Sequence, residues 1–130
     1  MRIAVAVVIL LTADLHADEK KPLPVIRPAD VAKHVNEKCI VEMEVKSVGK
    51  SNDGKLIFLN SEESFKDKAN FGVVIDVAAA EKLKEAKITD PYAYFQKTKV
   101  RVTGTITLYK ERPQIRIDGA DQIQVLEKKK

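Results

Sequence analysis

The chain has 130 residues, a formal net charge of +4 and a single cysteine. That length supports one core but not comfortably two, and one cysteine excludes an intramolecular disulfide, so packing must supply the stability. Lys128-Lys129-Lys130 holds three of the net charges and Arg2 cancels Asp14 within residues 1–17, so the body of the chain is only +1 and overall charge is no argument for a polyanionic partner.

The first segment stands apart in composition. Met1-Arg2 gives a positive start, Ile3 to Leu11 is an unbroken apolar run, and Leu15-His16-Ala17 ends on a small residue. Residues 1–17 read as a secretory signal peptide, which makes the protein exported, periplasmic or secreted. The run is shorter than the roughly 20 residues that span a bilayer, so no membrane span is expected after its removal. Residues 18–26, charged and proline-bearing, form a flexible lead-in outside the core. A domain over residues 27–127 and a basic tail over 128–130 complete the chain.

Pro28 opens a short amphipathic helix with Val31 and Val35 on one face, His34 on the polar side and Asn36 at its end. His34 has no second histidine or carboxylate at ligand spacing, so neither a metal nor a cofactor is expected. Cys39 reads as a small buried residue at the start of a strand, on a different element from His34 and without a histidine to activate it.

From Cys39 to Val48, Val41, Met43 and Val45 alternate with Glu42, Glu44 and Lys46, the period of a strand with one face in a core. Ser51-Asn52-Asp53-Gly54 is a turn. Leu56-Ile57-Phe58-Leu59 is apolar on both faces, so both sides are covered or one takes a ligand. Phe65, in the polar loop 61–70, should tuck back onto the sheet. Phe71, Val73 and Ile75 mark a third strand, and Asp76 caps a helix in which Ala79, Leu83 and Ala86 share a face. Asp90-Pro91 starts another short helical turn, with Phe95 as its core residue. Val100, Val102, Ile106 and Leu108 then alternate with polar residues, and after Tyr109-Lys110-Glu111-Arg112 the pattern resumes with Ile115 and Ile117, a β-hairpin. Ile123 and Val125 mark a short last strand.

Three strands, a helix and two long strands are the order of a mainly β, five-stranded Greek-key OB-fold barrel, with one helix between strands 3 and 4 and a short N-terminal helix. The run Val100-Arg101-Val102-Thr103-Gly104-Thr105-Ile106, then Leu108 to Ile115 and Gln122-Ile123, with Leu56 to Asn60 as a second strand ending "FLN", resembles bacterial nucleic-acid-binding-like OB-fold domains from about Val31 to Leu126. Such domains commonly carry glycine before the Arg-Pro of the hairpin turn. Here Glu111 holds that position, and its side chain argues against a positive φ.

The resemblance implies a binding protein for single-stranded nucleic acid, which needs aromatic platforms and positive charge along a backbone track. Arg101, Tyr109, Lys110, Arg112, Gln114 and Arg116 on the hairpin, with Phe58 as a further platform, are the candidate ligand-binding residues, and Phe65 is the alternative to Phe58 as that platform. The alternative is an interaction module for an envelope protein or a small polar ligand. No catalytic motif stands out: Asp53 reads as a turn residue and Asp76 as a cap, so a non-enzyme is expected.

Overall fold

The alternation seen in the sequence becomes a mixed sheet in the computed structural model, which describes residues 22–128. In chain order it contains β1 (Val25–Ile26), a 3₁₀ helix (Pro28–His34), β2 (Lys38–Glu44), β3 (Ser47–Lys50), β4 (Ile57–Asn60) and β5 (Gly72–Ile75). Then follow α1 (Val77–Glu85), α2 (Pro91–Tyr94), β6 (Thr98–Tyr109), β7 (Arg112–Ile117), a 3₁₀ turn (Ala120–Gln122) and β8 (Ile123–Lys128). The proposed signal peptide and the last two tail lysines lie outside the described residues.

Where the pattern predicts five strands in a closed barrel, the structure has eight in the order β1-β2-β6-β7-β5-β4-β3, with β8 also on β6. Among the described residues no ladder joins the two ends of that path, so the sheet is open. One extra strand comes from the lead-in: Val25 and Ile26 pair in parallel with Ile40 and Val41, and Ile26 packs on the core. Another arises because the long strand from Cys39 bends. Val45 donates to the Thr98 carbonyl (2.7 Å) and accepts from the Lys97 amide (3.1 Å), whereas Lys46 donates to the Asn60 carbonyl (3.0 Å). The bend therefore passes the chain from β6 to β4.

β6 is long enough to serve two ladders. Its residues 99–105 pair antiparallel with β2 and residues 106–109 pair with β7, while residues 98–102 also carry β8. Val100, Val102 and Ile106 point inward and are fully buried, as are Val41, Leu59, Phe71, Val73, Ile75, Phe95, Ile115 and Ile117. Leu108 shares their parity but lies beyond the covered part of the strand and is 54% exposed, against the expectation from alternation. The 3₁₀ helix docks through Val31.

Asp76 caps α1 as its position predicts, its carboxylate accepting from the Ala79 amide at 2.9 Å. Ala79 and Leu83 face the core, but Ala86 is the exposed C-cap and Ile88 takes the expected place of Ala86 against the core. Among the described residues no helix is long and apolar enough to cross a membrane.

Gly104 stands where β6 leaves β2 for β7. A Cβ there would lie 2.6 Å from Ile115 Cγ2, a distance that no repacking of a buried branched side chain absorbs easily. Gly104→Ala is therefore expected to lower stability by about 1–3 kcal/mol in urea unfolding, and Ile115→Val on top of it should recover part of the loss. An unchanged midpoint would show that the close approach is dispensable.

Candidate nucleic-acid interface

Strands β3, β4, β5 and β7 lie side by side, and their register decides what faces outward. Gly49, Phe58, Val74 and Arg116 form one cross-strand row, and Asn60, Gly72 and Gln114 form the next. Gly49 and Gly72 bring no side chains into these rows, which leaves Phe58 half-buried in the floor of a groove of about 530 Å³. One wall is the β6–β7 hairpin with Tyr109, Lys110 and Arg112; the other is the loop 61–70 with Phe65 and Lys66.

The loop is held by its own polar residues. The Ser61 amide donates to the Phe71 carbonyl (3.0 Å), the Phe71 amide donates back to Ser61 Oγ (2.9 Å), and Asn70 Nδ2 donates to Asn60 Oδ1 (3.2 Å). Arg112 then ties the loop to the hairpin: its guanidinium donates to the carbonyls of Phe65 (2.8 Å), Lys66 (3.0 Å) and Asp67 (3.0 Å). Arg112 is thus a clamp between the walls rather than a free cation. Held this way, Phe65 does not tuck onto the sheet but stands 64% exposed, and Tyr109 on the hairpin is 59% exposed. Lys66 Nζ sits 5.9 Å from the Phe65 ring centre and Lys110 Nζ 5.4 Å from that of Tyr109.

The hairpin reaches this position through a two-residue turn. Tyr109 pairs with Arg112, and both Lys110 (φ 50°) and Glu111 (φ 66°) are left-handed. Glu111 adopts the positive φ that its side chain disfavours because a two-residue connection follows strand twist only with both central residues left-handed.

Of the seven predicted site residues, five line this groove: Phe58, Tyr109, Lys110, Arg112 and Gln114. Arg101 and Arg116 do not. Arg101 is opposite Glu42 across β2 and β6 and donates to its carboxylate (Nε to Oε2, 2.9 Å), an interaction that holds the Glu42 carboxyl below its usual range. Arg116 leans toward α1, with Nε 3.3 Å from Asp76 Oδ2, and lines a separate polar cleft with Thr103, Thr105, Asp118 and Gln122. Phe65 lines the groove rather than packing on the sheet, the second of the two places its sequence allows; the neighbouring Asn60, Ser61 and Asn70, which build its loop, are signals of an ordered loop.

Asp53 Oδ1 accepts from Ser51 Oγ (2.6 Å) and the Lys55 amide (3.0 Å), which lowers its carboxyl pKa and makes it the turn residue its position predicts. For metal ligation, one trio stands together among the described residues: His34, Glu37 and Cys39 offer donor atoms within 4.8 Å of one another. The carboxylate partner that sequence spacing does not reveal for His34 is Glu37, with Oε1 2.9 Å from Nδ1. Burial, and then the Glu37 charge, push the Cys39 thiol pKa up.

No protein-family model and no curated protein matches the chain. Among solved structures it is similar to an aspartyl-tRNA synthetase of Leishmania major Friedlin (TM-score 0.57, 12% identity, 84% of this chain and 22% of that one). An asparaginyl-tRNA synthetase of Entamoeba histolytica, solved with asparaginyl-adenylate, is similar over 84% of this chain and 25% of its own (TM-score 0.52, 12% identity). The OBody AM1L10, solved bound to hen egg-white lysozyme, is matched over 83% of this chain and 98% of its own (TM-score 0.56, 15% identity). At these identities the likeness is one of fold, an OB-fold resemblance, and the chain spans about a quarter or less of the two synthetases.

Two expectations follow. Arg112→Ala should speed tryptic cleavage after Lys66 and Lys68 by about tenfold, because charge-assisted bonds no longer oppose local opening; Arg112→Lys should not restore protection, since an ammonium cannot fork onto three carbonyls. Equal cleavage rates would remove the clamp. The Ala79 amide and, more weakly, Arg116 hold the folded Asp76 carboxyl below its ordinary value. Its charged form therefore contributes stability above the unfolded pKa of about 3.9, and that contribution is lost as pH falls through the lower folded pKa. Asp76→Asn, which keeps a capping oxygen, should be less stable than wild type by up to about 1 kcal/mol at pH 7. The gap should narrow as pH drops below 4, and a pH-independent gap in urea unfolding would contradict the assignment.

Proposed function

We propose that this protein is an exported, non-enzymatic binding module of the OB-fold type whose groove takes single-stranded nucleic acid. The observation that carries the reading is the pairing of ring and ammonium in one groove: Phe65 with Lys66 and Tyr109 with Lys110, with Phe58 lining the same groove. Exposed rings accept bases of any sequence by stacking, while neighbouring lysines meet the phosphates. The fold likeness to two tRNA synthetases, enzymes whose names include a nucleic acid, supports this choice of ligand. Export rests on the composition of residues 1–17. The non-enzymatic reading is supported by the use of Asp53 and Asp76 as turn and cap residues. The eight-stranded open sheet then contains five OB-type strands, the first of them broken at Val45-Lys46, with β1 added on β2 and β8 on β6.

A second reading, a module for an envelope protein, draws on the OBody, which is bound to lysozyme and is matched over nearly its whole length. Salt separates the two. An unstructured oligo-dT should bind with an affinity that falls as salt rises, and Lys110→Ala should reduce the log–log slope by about 0.7. Phe65→Ala and Tyr109→Ala should each weaken binding by about 1–3 kcal/mol, roughly 5- to 150-fold, while Arg101→Ala leaves it unchanged. Fluorescence anisotropy across a salt series checks all four. Undetectable binding, or binding indifferent to the two aromatic substitutions, would overturn the nucleic-acid reading.

A further inference from the structure

We propose that His34, Glu37 and Cys39 form a binding site for one divalent transition-metal ion, with zinc the best fit to the donor set. A nitrogen, a carboxylate oxygen and a sulfur offered together suit a borderline cation of this kind, and three protein ligands leave a coordination position for water. The site lies at the opposite end of β2 from the bend and shares no residue with the groove.

The local backbone builds it. Asn36 takes a left-handed φ of 71°, which turns the chain between the 3₁₀ helix and β2 so that residues on both elements meet. The turn is pinned to β6: the Asn36 amide donates to the Ile106 carbonyl (2.6 Å), the Ile106 amide to the Glu37 carbonyl (3.0 Å), and the Glu37 amide closes onto the His34 carbonyl (3.0 Å). Glu37 stands just before β2 and Cys39 is its second residue, so the two donors are two apart on either side of the strand start. Cys39 is fully buried and fixed by the core, His34 is partly exposed and Glu37 more so.

The donors span at most 4.8 Å. In a tetrahedral zinc site with bonds of about 2.0–2.3 Å, donor atoms stand about 3.3–3.6 Å apart. Small rotations of His34 and Glu37, both at the surface, supply that contraction without moving the strand. The ion would come between His34 Nδ1 and Glu37 Oε1, which now touch at 2.9 Å. Binding would release the Cys39 thiol proton to solvent and leave the thiolate on the metal.

The competing interpretation is a surface His–Glu pair beside an unrelated core cysteine. Co²⁺ titration of the full chain distinguishes them, because Cys39 is the only cysteine and a thiolate-to-cobalt charge-transfer band can arise from no other residue. The band should saturate at one Co²⁺ per chain and be bleached by Zn²⁺. Cys39→Ser should abolish it. His34→Ala, which leaves the core untouched and keeps the circular dichroism of the wild type, should raise the half-saturating Co²⁺ concentration at least about tenfold, and Glu37→Gln should weaken binding in the same direction. Absence of the band at saturating Co²⁺, or a half-saturation point unmoved by His34→Ala and Glu37→Gln, would overturn the site.

Discussion

The contact of Gly104 with Ile115 is the constraint from which the rest of the architecture follows. A strand of twelve residues can serve two ladders only if it changes partners part-way, and β6 does so where its backbone presses on a branched side chain of β7. A bare Cα is the physical requirement of that approach. Because β6 turns from β2 to β7 there, the inner faces of both halves of the sheet converge on one apolar core, and the outer face of β3, β4, β5 and β7 is left for the groove. The bend at Val45-Lys46 makes the matching change of partner in the other long strand, from β6 to β4.

The placement of charge explains why a modest overall balance coexists with a locally basic groove. Arg101 is neutralised by Glu42, Arg116 by Asp76, and Lys46 and Lys97 stand near Glu62 and Glu63. Arg112 is engaged by three carbonyls. What remains beside the exposed rings is a pair of lysines, Lys66 and Lys110, each near a ring and neither held by a carboxylate among the described residues, and Lys50, which stands over Tyr92, lines the same groove.

Alternation in Val100, Val102, Ile106, Ile115 and Ile117 was enough to reveal the hairpin and its buried face, since a period of two leaves one side for the core. The cap at Asp76 and the turn at Asp53 were equally legible, because each depends on a few adjacent residues. Three features were not. The short strand Val25–Ile26 forms only by tertiary pairing, and two residues carry no periodicity. Whether Phe65 tucks onto the sheet or stands out as a platform was open, because hydrophobicity alone says nothing of a loop held by Arg112, 47 positions along the chain. The separation of Arg101 and Arg116 from Tyr109 depends on their partners Glu42 and Asp76, which strand parity cannot foresee.

Amide NMR titration of the labelled protein with a short oligo-dT reports where on the sheet a ligand sits. Binding in the groove should concentrate shifts at Phe58, Phe65, Lys66, Tyr109, Lys110 and Gln114, with Thr103, Thr105 and Gln122 little changed. Shifts centred on the Thr103 and Gln122 cleft, or none at any of the groove residues at saturating oligonucleotide, would contradict it.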